Sequence, residues 1–337
     1  MTARLNGYDA ILLDLDGTVY RGAEPVPEAP DVVNELRQAG HAVQFITNNA
    51  SRTPDDVAAH LTNLGLRATP EEISTSAQAA VALLAAQLPP GVAVLVVGTD
   101  ALAEAVSSVG LRPVIAVSEQ PAAVVQGHSP ATGWARLAEA CLAIRGGAMW
   151  VACNVDRTLP TERGLLPGNG AMVAALRTAT DREPAVAGKP GRALLDTAMN
   201  RTGARRPLVV GDRLDTDIAG ARAAGLDSLL VLSGVDDVSA LLAASPEQRP
   251  SYLGADLRVL RGPLERARIR VRPGWRVELA SGGLLLCGDR PASDPLDAVR
   301  TLCVVWWAEH TGPVRVRPAD DTAAAALGSV GLGDADW

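Results

Sequence analysis

The chain has 337 residues, 47% of them apolar and 20% charged, which is enough for two or three domains with sizeable cores. Its net charge of -7 argues against a nucleic-acid or anionic-membrane partner. The sequence shows no signal-peptide pattern, no apolar run that could span a bilayer and no metal-type spacing among its four cysteines. We therefore expect a cytoplasmic protein with reduced cysteines.

The first predicted element is a buried strand at residues 10–13, followed at once by Asp14-Leu15-Asp16-Gly17-Thr18. Ligands of parallel α/β sheets bind at the carboxyl ends of the strands. Two neighbouring carboxylates repel unless a cation lies between them, and Mg²⁺ prefers oxygen ligands. Gly17 would let the backbone approach such a ligand. A surface turn explains the motif equally well when it is taken alone, whereas an EF-hand loop would need further acidic residues after Gly17.

A second strand is predicted at residues 42–46, and Thr47-Asn48-Asn49-Ala50-Ser51 follows it before a helix that reaches Leu64. Hydroxyl, amide and backbone N–H donors just before a helix suit an anion. A turn with a helix cap is the alternative for this segment.

The middle of the chain alternates between predicted helices and strands. Helices are predicted at residues 30–39, 74–88, 101–109, 132–145 and 171–179, and strands at 92–97, 114–116, 123–125 and 149–152. This alternation predicts βαβ units and largely parallel pairing. Residues 154–160 and 164–170 are polar and turn-rich.

Two later segments repeat the pattern of polar residues after an apolar run. Lys189 stands between Gly188 and Pro190, which suggests a placed side chain, although a solvated surface lysine is the alternative. A strand predicted at residues 208–210 leads directly into Gly211-Asp212 and on to Asp217. Acidic residues therefore recur at predicted strand ends, and the combination is more informative than any one segment.

From about residue 256 the composition shifts. A strand with one basic face is predicted at residues 266–272, a hairpin at 275–287, a helix at 294–306 and a strand at 314–317, which together make a small α+β module. The module resembles part of a GNAT-type acetyltransferase, but the sequence has no Arg/Gln-x-x-Gly-x-Gly/Ala loop for a CoA pyrophosphate. The basic strand could bind an anion or the core, although a solvated face is the simpler explanation.

Taken together, the segments around Asp14, Thr47, Lys189 and Asp212 resemble the motifs of haloacid dehalogenase (HAD) superfamily phosphatases. The long insertion before Lys189 resembles the type C2 cap of a subgroup that holds 4-nitrophenyl phosphatase, phosphoglycolate phosphatase, NagD-like enzymes and actinobacterial glycerol 3-phosphate phosphatases. Departures from the subgroup lie in the cap, at Cys153 and around His128.

The resemblance implies an α/β fold with three parts. A HAD-like Rossmannoid parallel-sheet core is expected at residues 1–85 and 183–255, and a C2 cap domain that selects the substrate at residues 86–182. Residues 256–337 would form the separate α+β module.

For catalysis, the resemblance implies a phosphatase in which Asp14 attacks phosphorus and Asp16 acts as general acid and base. Mg²⁺ would be held by the Asp14 carboxylate, the Asp16 backbone carbonyl and the Asp212 carboxylate. Lys189 would add positive charge, and Asp217 would orient it or a metal-bound water. The residues expected to bind the substrate or its phosphate are Gly17, Thr47, Asn48, Asn154 and Asp156.

The expected substrate is a small phosphorylated metabolite, because a cap excludes bulky partners and aromatics amount to only 3% of the chain. The resemblance implies glycerol 3-phosphate, with phosphoglycolate, 4-nitrophenyl phosphate and pyridoxal phosphate as alternatives, and a homodimer formed through the cap. Two other classes stay open: a non-catalytic sensor of phosphate ligands, and an acyltransferase that uses the C-terminal module.

Overall fold

The computed structural model describes residue 5 and residues 7–161, 163–280, 282–289 and 294–332. The chain divides into a terminal unit, Met1–Ala42 with Arg206–Trp337, and a central unit, Val43–Arg205. Both units are α/β with parallel sheets, as predicted. Among the described residues, no helix is long and apolar enough to cross a membrane.

The terminal unit begins with a strand that is buried along its whole length, as expected for a strand covered on both faces of a parallel sheet. A short hairpin and a helix follow. These elements are β1 (Ala10–Asp14), β2 (Tyr20–Arg21), β3 (Glu24–Pro25) and α1 (Ala29–Gln38).

The central unit holds a parallel pair, β4–β5, and a five-stranded parallel sheet in the order β12-β9-β8-β6-β7. An antiparallel hairpin, β10–β11, was not predicted. The strands are β4 (Ala42–Thr47), β5 (Ile73–Thr75), β6 (Ala93–Val97), β7 (Arg112–Val114), β8 (Ala123–Gln126), β9 (Met149–Ala152), β10 (Thr158–Thr161), β11 (Gly164–Pro167) and β12 (Ala185–Val186). The helices are α2 (Pro54–Asn63), α3 (Ser76–Ala85), α4 (Asp100–Ser108), α5 (Trp134–Arg145), α6 (Asn169–Thr180) and α7 (Ala193–Thr202).

The chain then returns to the terminal unit, where β1, β13, β14 and β15 pair in parallel in that order. A second sheet, β16-β17-β18, lies in the C-terminal module. The strands are β13 (Pro207–Gly211), β14 (Asp227–Val231), β15 (Tyr252–Gly254), β16 (Trp275–Ala280), β17 (Gly283–Gly288) and β18 (Val316–Pro318). The helices are α8 (Ala219–Ala223), α9 (Val238–Ala243), α10 (Leu296–Trp307) and α11 (Asp321–Ser329).

One hydrophobic cluster joins the C-terminal module to the first sheet of the terminal unit. Leu230 of β14 and Leu253 of β15 belong to the same cluster as Leu286 of β17 and Leu302 of α10. The buried Arg300 donates to the Leu253 carbonyl oxygen at 2.7 Å. The module therefore shares its core with the parallel sheet.

Three predictions of local structure are wrong. The strand predicted at residues 114–116 lies at Arg112–Val114. Residues 266–272 do not form a strand, because the buried Arg272 side chain turns inward and donates to the Arg268 carbonyl oxygen at 2.7 Å. The helix predicted from residue 74 begins at Ser76, because Ile73–Thr75 pairs with β4. Thr75 then caps the helix by accepting from the Gln78 N–H at 3.2 Å.

Candidate active site

Three carboxylates meet at the carboxyl edge of the parallel sheet in the terminal unit. Asp14 is the last residue of β1, Asp212 follows β13, and Asp217 lies in the turn Leu214–Ile218. One carboxylate oxygen from each lies within 4.8 Å of the others. We call these three residues the acidic group. Asp14 is 198 or more positions away from Asp212 and Asp217 in the sequence, and the parallel pairing of β1 with β13 brings them together.

The acidic group suits a divalent cation with oxygen ligands. Asp14, Asp212 and Asp217 are 9%, 0% and 1% exposed. Burying several ionised carboxylates close together is unfavourable without a compensating positive charge. The donor set is made of hard oxygen atoms, which is the preference of Mg²⁺. The geometry therefore fits the metal expected from the sequence and includes Asp217 beside the predicted ligands Asp14 and Asp212.

Asp16 and Gly17 sit differently from the acidic group. The Asp16 side chain is exposed, which agrees with the general acid and base role expected from the sequence. Gly17 has φ +85°, and a Cβ there would lie 2.3 Å from Asp212 Oδ2. Only glycine satisfies both conditions, because its backbone tolerates positive φ and has no side chain.

In the central unit, two hydrogen bonds join Asn48 to the backbone of Lys189. The Lys189 N–H donates to Asn48 Oδ1 at 2.8 Å, and Asn48 Nδ2 donates to the Lys189 carbonyl oxygen at 3.0 Å. Asn48 Nδ2 also donates to the Asp156 carboxylate, at 3.2 and 3.3 Å. Lys189 is only 2% exposed, so it is not the solvated lysine of the alternative interpretation.

Asn154 holds the backbone of the same segment. Its Nδ2 donates to the Asn48 carbonyl oxygen at 2.7 Å, and its Oδ1 accepts from the Asp156 N–H at 3.2 Å. Asn169, which is 1% exposed, in turn donates to the Asn154 carbonyl oxygen at 2.7 Å. We call Asn48, Asn154, Asp156, Asn169 and Lys189 the amide group.

Thr47 ends β4 beside Asn48 and is 3% exposed. Its Oγ1 accepts from the Asn49 N–H at 3.0 Å, and a hydroxyl that accepts one bond can still donate its own proton. That is the chemistry needed to contact a phosphate oxygen.

Burial disfavours the charged form of both residues at which the sequence departs from the subgroup. Complete burial raises the pKa of the Cys153 thiol to about 12, which disfavours the nucleophilic thiolate. Partial burial lowers the pKa of His128, which favours the neutral imidazole.

The sequence-predicted residues thus fall into two sets, each within its own unit. Sequence reasoning missed Asn169 and the segment Ser233–Gly234–Val235, which touches Asp212 and Gly17. The signal for that segment was available, because Ser233-Gly234 ends a strand at the same sheet edge as Asp14 and Asp212. The signal for Asn169 was weaker, since a turn-rich sequence does not say which amide is buried.

Models of three families match the chain: a haloacid dehalogenase-like hydrolase over residues 11–112, a HAD-hydrolase-like protein over residues 186–260, and a GCN5-related N-acetyltransferase-like domain over residues 272–332. A D-glycerol 3-phosphate phosphatase from Mycobacterium tuberculosis is 52% identical over 331 residues, which are 95% of this chain and 93% of that protein. An acid sugar phosphatase from Staphylococcus aureus is 34% identical over 261 residues, which are 77% of this chain and 99% of that protein.

Among solved structures, a glycerol phosphate phosphatase from Mycobacterium tuberculosis in complex with magnesium superposes with a TM-score of 0.91 at 51% identity. The match covers 96% of this chain and 97% of that chain. It therefore includes most of the C-terminal module, whereas about a quarter of this chain lies outside the match to the sugar phosphatase.

Proposed function

Because the chain belongs to the haloacid dehalogenase-like hydrolases, we propose that it is a Mg²⁺-dependent phosphatase that hydrolyses glycerol 3-phosphate to glycerol and phosphate. The observation that carries this proposal is the acidic group, whose three carboxylates converge within 4.8 Å at the carboxyl edge of the sheet. A binding module that only senses phosphate would gain nothing from a buried concentration of negative charge beside the exposed Asp16.

Asp14 and Asp16 divide the chemistry. A carboxylate oxygen of Asp14 forms a bond to phosphorus while the bond from phosphorus to the glycerol oxygen breaks. Asp16 gives a proton to the leaving alkoxide, then removes a proton from water as the water attacks the aspartyl-phosphate. Phosphate leaves, Asp14 is restored, and Asp16 is protonated as at the start.

Asp14, Asp212 and the Asp16 carbonyl would hold Mg²⁺, with Asp217 beside them, and the ion would offset charge between an anionic nucleophile and an anionic substrate. The protein supplies the rest of the binding. Lys189 contributes a fixed positive charge, and the Thr47 hydroxyl and the backbone around Gly17 contact phosphate oxygens. Asn48 serves the same phosphate by holding Lys189 through the two hydrogen bonds described above.

The choice of glycerol 3-phosphate is supported by similarity to a D-glycerol 3-phosphate phosphatase over 95% of the chain. The low aromatic content agrees with it, because few side chains could stack on a nucleobase or a pyridine ring. We assign residues 1–85 and 183–255 to the catalytic core, 86–182 to the substrate-selecting cap and 256–337 to the C-terminal module. Asn154 and Asp156 are then the cap's contribution to the site.

We further propose a cytoplasmic enzyme that forms a homodimer through the cap. Exposed apolar side chains on the cap support the second part, since such residues are common at protein interfaces. Trp134 is 83% exposed, Leu165 70% and Ile115 62%. Light scattering of the wild type and of Trp134→Ala measures whether the dimer exists and uses this surface.

The test of function measures phosphate released from a panel of esters with and without Mg²⁺. The panel holds glycerol 3-phosphate, phosphoglycolate, 4-nitrophenyl phosphate, pyridoxal phosphate, a nucleoside monophosphate and a sugar phosphate. We expect glycerol 3-phosphate to give the highest kcat/KM, and only with Mg²⁺. Higher kcat/KM on another ester would replace the substrate, and no release from any ester would remove the proposed activity.

A further inference from the structure

The segment Ser233–Gly234–Val235 follows β14 at the sheet edge that carries the acidic group. β14 pairs in parallel with β13, so the loops after the two strands leave the sheet side by side. The segment contacts both the loop after β13 and the loop after β1, through hydrogen bonds to each loop and through close packing against Asp212.

The first contact holds the Asp212 carboxylate. The Val235 N–H donates to Asp212 Oδ2 at 2.7 Å, and the Asp236 N–H donates to the Asp212 carbonyl oxygen at 3.2 Å. A hydrogen bond from an N–H to an ionised carboxylate is stronger than one between neutral groups, and it fixes which oxygen faces the backbone.

The second contact is steric. A Cβ on Gly234 would lie 1.9 Å from Asp212 Oδ2, and a Cβ on Gly17 would lie 2.3 Å from the same oxygen. The carboxylate is therefore wedged between two glycine backbones that belong to different loops. Asp212 can keep one position only while these two loops keep their separation.

The third contact ties those loops together. The Ser233 hydroxyl, on a residue that is 4% exposed, donates to the Gly17 carbonyl oxygen at 2.7 Å. On the other side of Gly17, its N–H donates to the Tyr20 carbonyl oxygen at 2.7 Å. The two peptide groups that flank the Gly17 Cα are thereby both restrained, the one shared with Asp16 through its N–H and the one shared with Thr18 through its carbonyl oxygen. Arg21 Nε donates to the Ser233 carbonyl oxygen, which restrains the serine itself.

We propose that Ser233 is a positioning residue for the metal site, acting through Gly17 on the Asp16 carbonyl and through the two glycine backbones on Asp212. It does not touch the substrate in this role. The inference rests on the proposed function, because the metal that these groups would hold is the Mg²⁺ of the phosphatase reaction.

The test compares variants of the full-length protein. Ser233→Ala removes the hydroxyl, and Ser233→Thr keeps it. Ser228→Ala is the matched control, since Ser228 is also buried, at 3% exposed, but lies at the opposite end of β14. Mg²⁺ binding is measured by isothermal titration calorimetry without substrate, and the Mg²⁺ concentration for half-maximal phosphate release is measured separately.

We expect Ser233→Ala to weaken Mg²⁺ binding by about five- to tenfold, the size expected from one lost buried hydrogen bond. The half-maximal Mg²⁺ concentration should rise by the same factor, while KM for glycerol 3-phosphate at saturating Mg²⁺ stays within about twofold. Ser233→Thr and Ser228→Ala should both bind Mg²⁺ as the wild type does.

Three outcomes would overturn the proposal: Mg²⁺ binding by Ser233→Ala within about twofold of the wild type, an equal loss in Ser228→Ala, or no rescue in Ser233→Thr. If Ser233→Ala does not fold, Ser233→Val against Ser233→Thr decides the question, because these side chains share a shape and differ in the hydroxyl. A wild type that binds no Mg²⁺ removes the proposed function itself, which separates that failure from the failure of Ser233.

Discussion

The acidic group of the terminal unit and the amide group of the central unit are held by opposite means. Asp212 is fixed by backbone, between two glycines and under the Val235 N–H. Lys189 is fixed by a side chain, through the two-way hydrogen bonds of Asn48. The acidic group concentrates negative charge that needs a cation, whereas the amide group links its members through hydrogen bonds of asparagine side chains to the backbone and to the Asp156 carboxylate.

The two groups should therefore tolerate different substitutions. In the acidic group the charge itself is functional, so replacing one carboxylate by an amide should abolish activity while preserving the fold. In the amide group the asparagines are proposed to position Lys189 and the segment around it, so loss of one asparagine contact should reduce activity without abolishing it.

Asp14→Asn should lower kcat by a factor of about 10⁴ to 10⁶, because an amide of the same shape is neither a nucleophile nor a good metal ligand. Circular dichroism should show an unchanged fold. Glu24→Gln, at an exposed position of the same unit, is the control for charge removal. Phosphate release by Asp14→Asn within a few-fold of the wild type would exclude Asp14 as the nucleophile.

Removal of Mg²⁺ with a chelator should reduce activity to background, and Ca²⁺ should inhibit when added beside Mg²⁺. Ca²⁺ binds at about 2.3 to 2.6 Å and takes more ligands, so it would misplace Asp14 relative to phosphorus. Initial rates over a series of Ca²⁺ to Mg²⁺ ratios check this. Full activity in excess chelator contradicts the metal assignment.

Asn48→Ala should lower kcat/KM by about 10- to 100-fold, since Lys189 loses both bonds that fix its backbone and small displacements in a site are costly. The control is Gln44→Ala, which removes another buried amide from β4 that donates to Glu71 and Ser74. Kinetics and thermal melts of both variants separate the two roles. Equal losses of activity in both would mean that Asn48 contributes only to stability.

The sequence alone predicted the family, the parallel α/β fold and acidic residues at the carboxyl ends of its strands. The matches to known proteins confirm the predicted family and fold. Asp14 and Asp212 could be predicted because an apolar run followed by an acidic residue is visible in the local sequence. Parallel pairing then places the carboxyl ends of the strands at one edge of the sheet. The roles given to the individual site residues stay predictions.

Contacts made by backbone and by folded-back side chains could not be predicted in the same way. Ser233 donates to Gly17 across 216 positions of sequence; the strand end at Ser233 indicates the sheet edge where it lies but not which backbone group its hydroxyl contacts. The strand expected at residues 266–272 failed for a related reason. Its alternating arginines are typical of a strand with one exposed face. Arg272, however, is buried and donates a hydrogen bond to the backbone four residues earlier.

Arg300→Met should destabilise the protein by about 1 to 3 kcal/mol, yet leave kcat/KM unchanged at a temperature where the variant is folded. Arg300 is 1% exposed and donates to the Leu253 carbonyl oxygen at 2.7 Å, so its loss leaves a buried acceptor unsatisfied, whereas its partners Asp294 and Asp297 remain partly in contact with solvent. The expected fall in Tm is about 2 to 12 °C. Arg276→Met is the control, because Arg276 is exposed. A loss of kcat/KM in a folded Arg300→Met would show that the C-terminal module takes part in the chemistry.

The smallest expected effect is at Asp236, whose carboxylate accepts from the Leu214 N–H at 2.6 Å beside the acidic group. Burial raises the pKa of Asp236, and the neighbouring Asp215 and Asp237 act in the same direction. Since its pKa is higher in the folded than in the unfolded state, the folded state holds the proton more tightly. Its contribution to stability is thus fully present at acid pH and is lost as pH rises through the folded pKa.

Asp236→Asn stays neutral at every pH and keeps an oxygen to accept from Leu214. It should therefore melt about 1 °C above the wild type at pH 7, a small gain because the group is partly solvated, and the difference should vanish below about pH 4. Asp237→Asn is the matched control, since asparagine caps α9 as well as aspartate does. Melting curves without Mg²⁺ between pH 4 and 8 measure both. A rise in Tm for Asp236→Asn that is largest at acid pH would mean that burial does not set the pKa of this carboxylate. Other groups would then balance its charge near the acidic group.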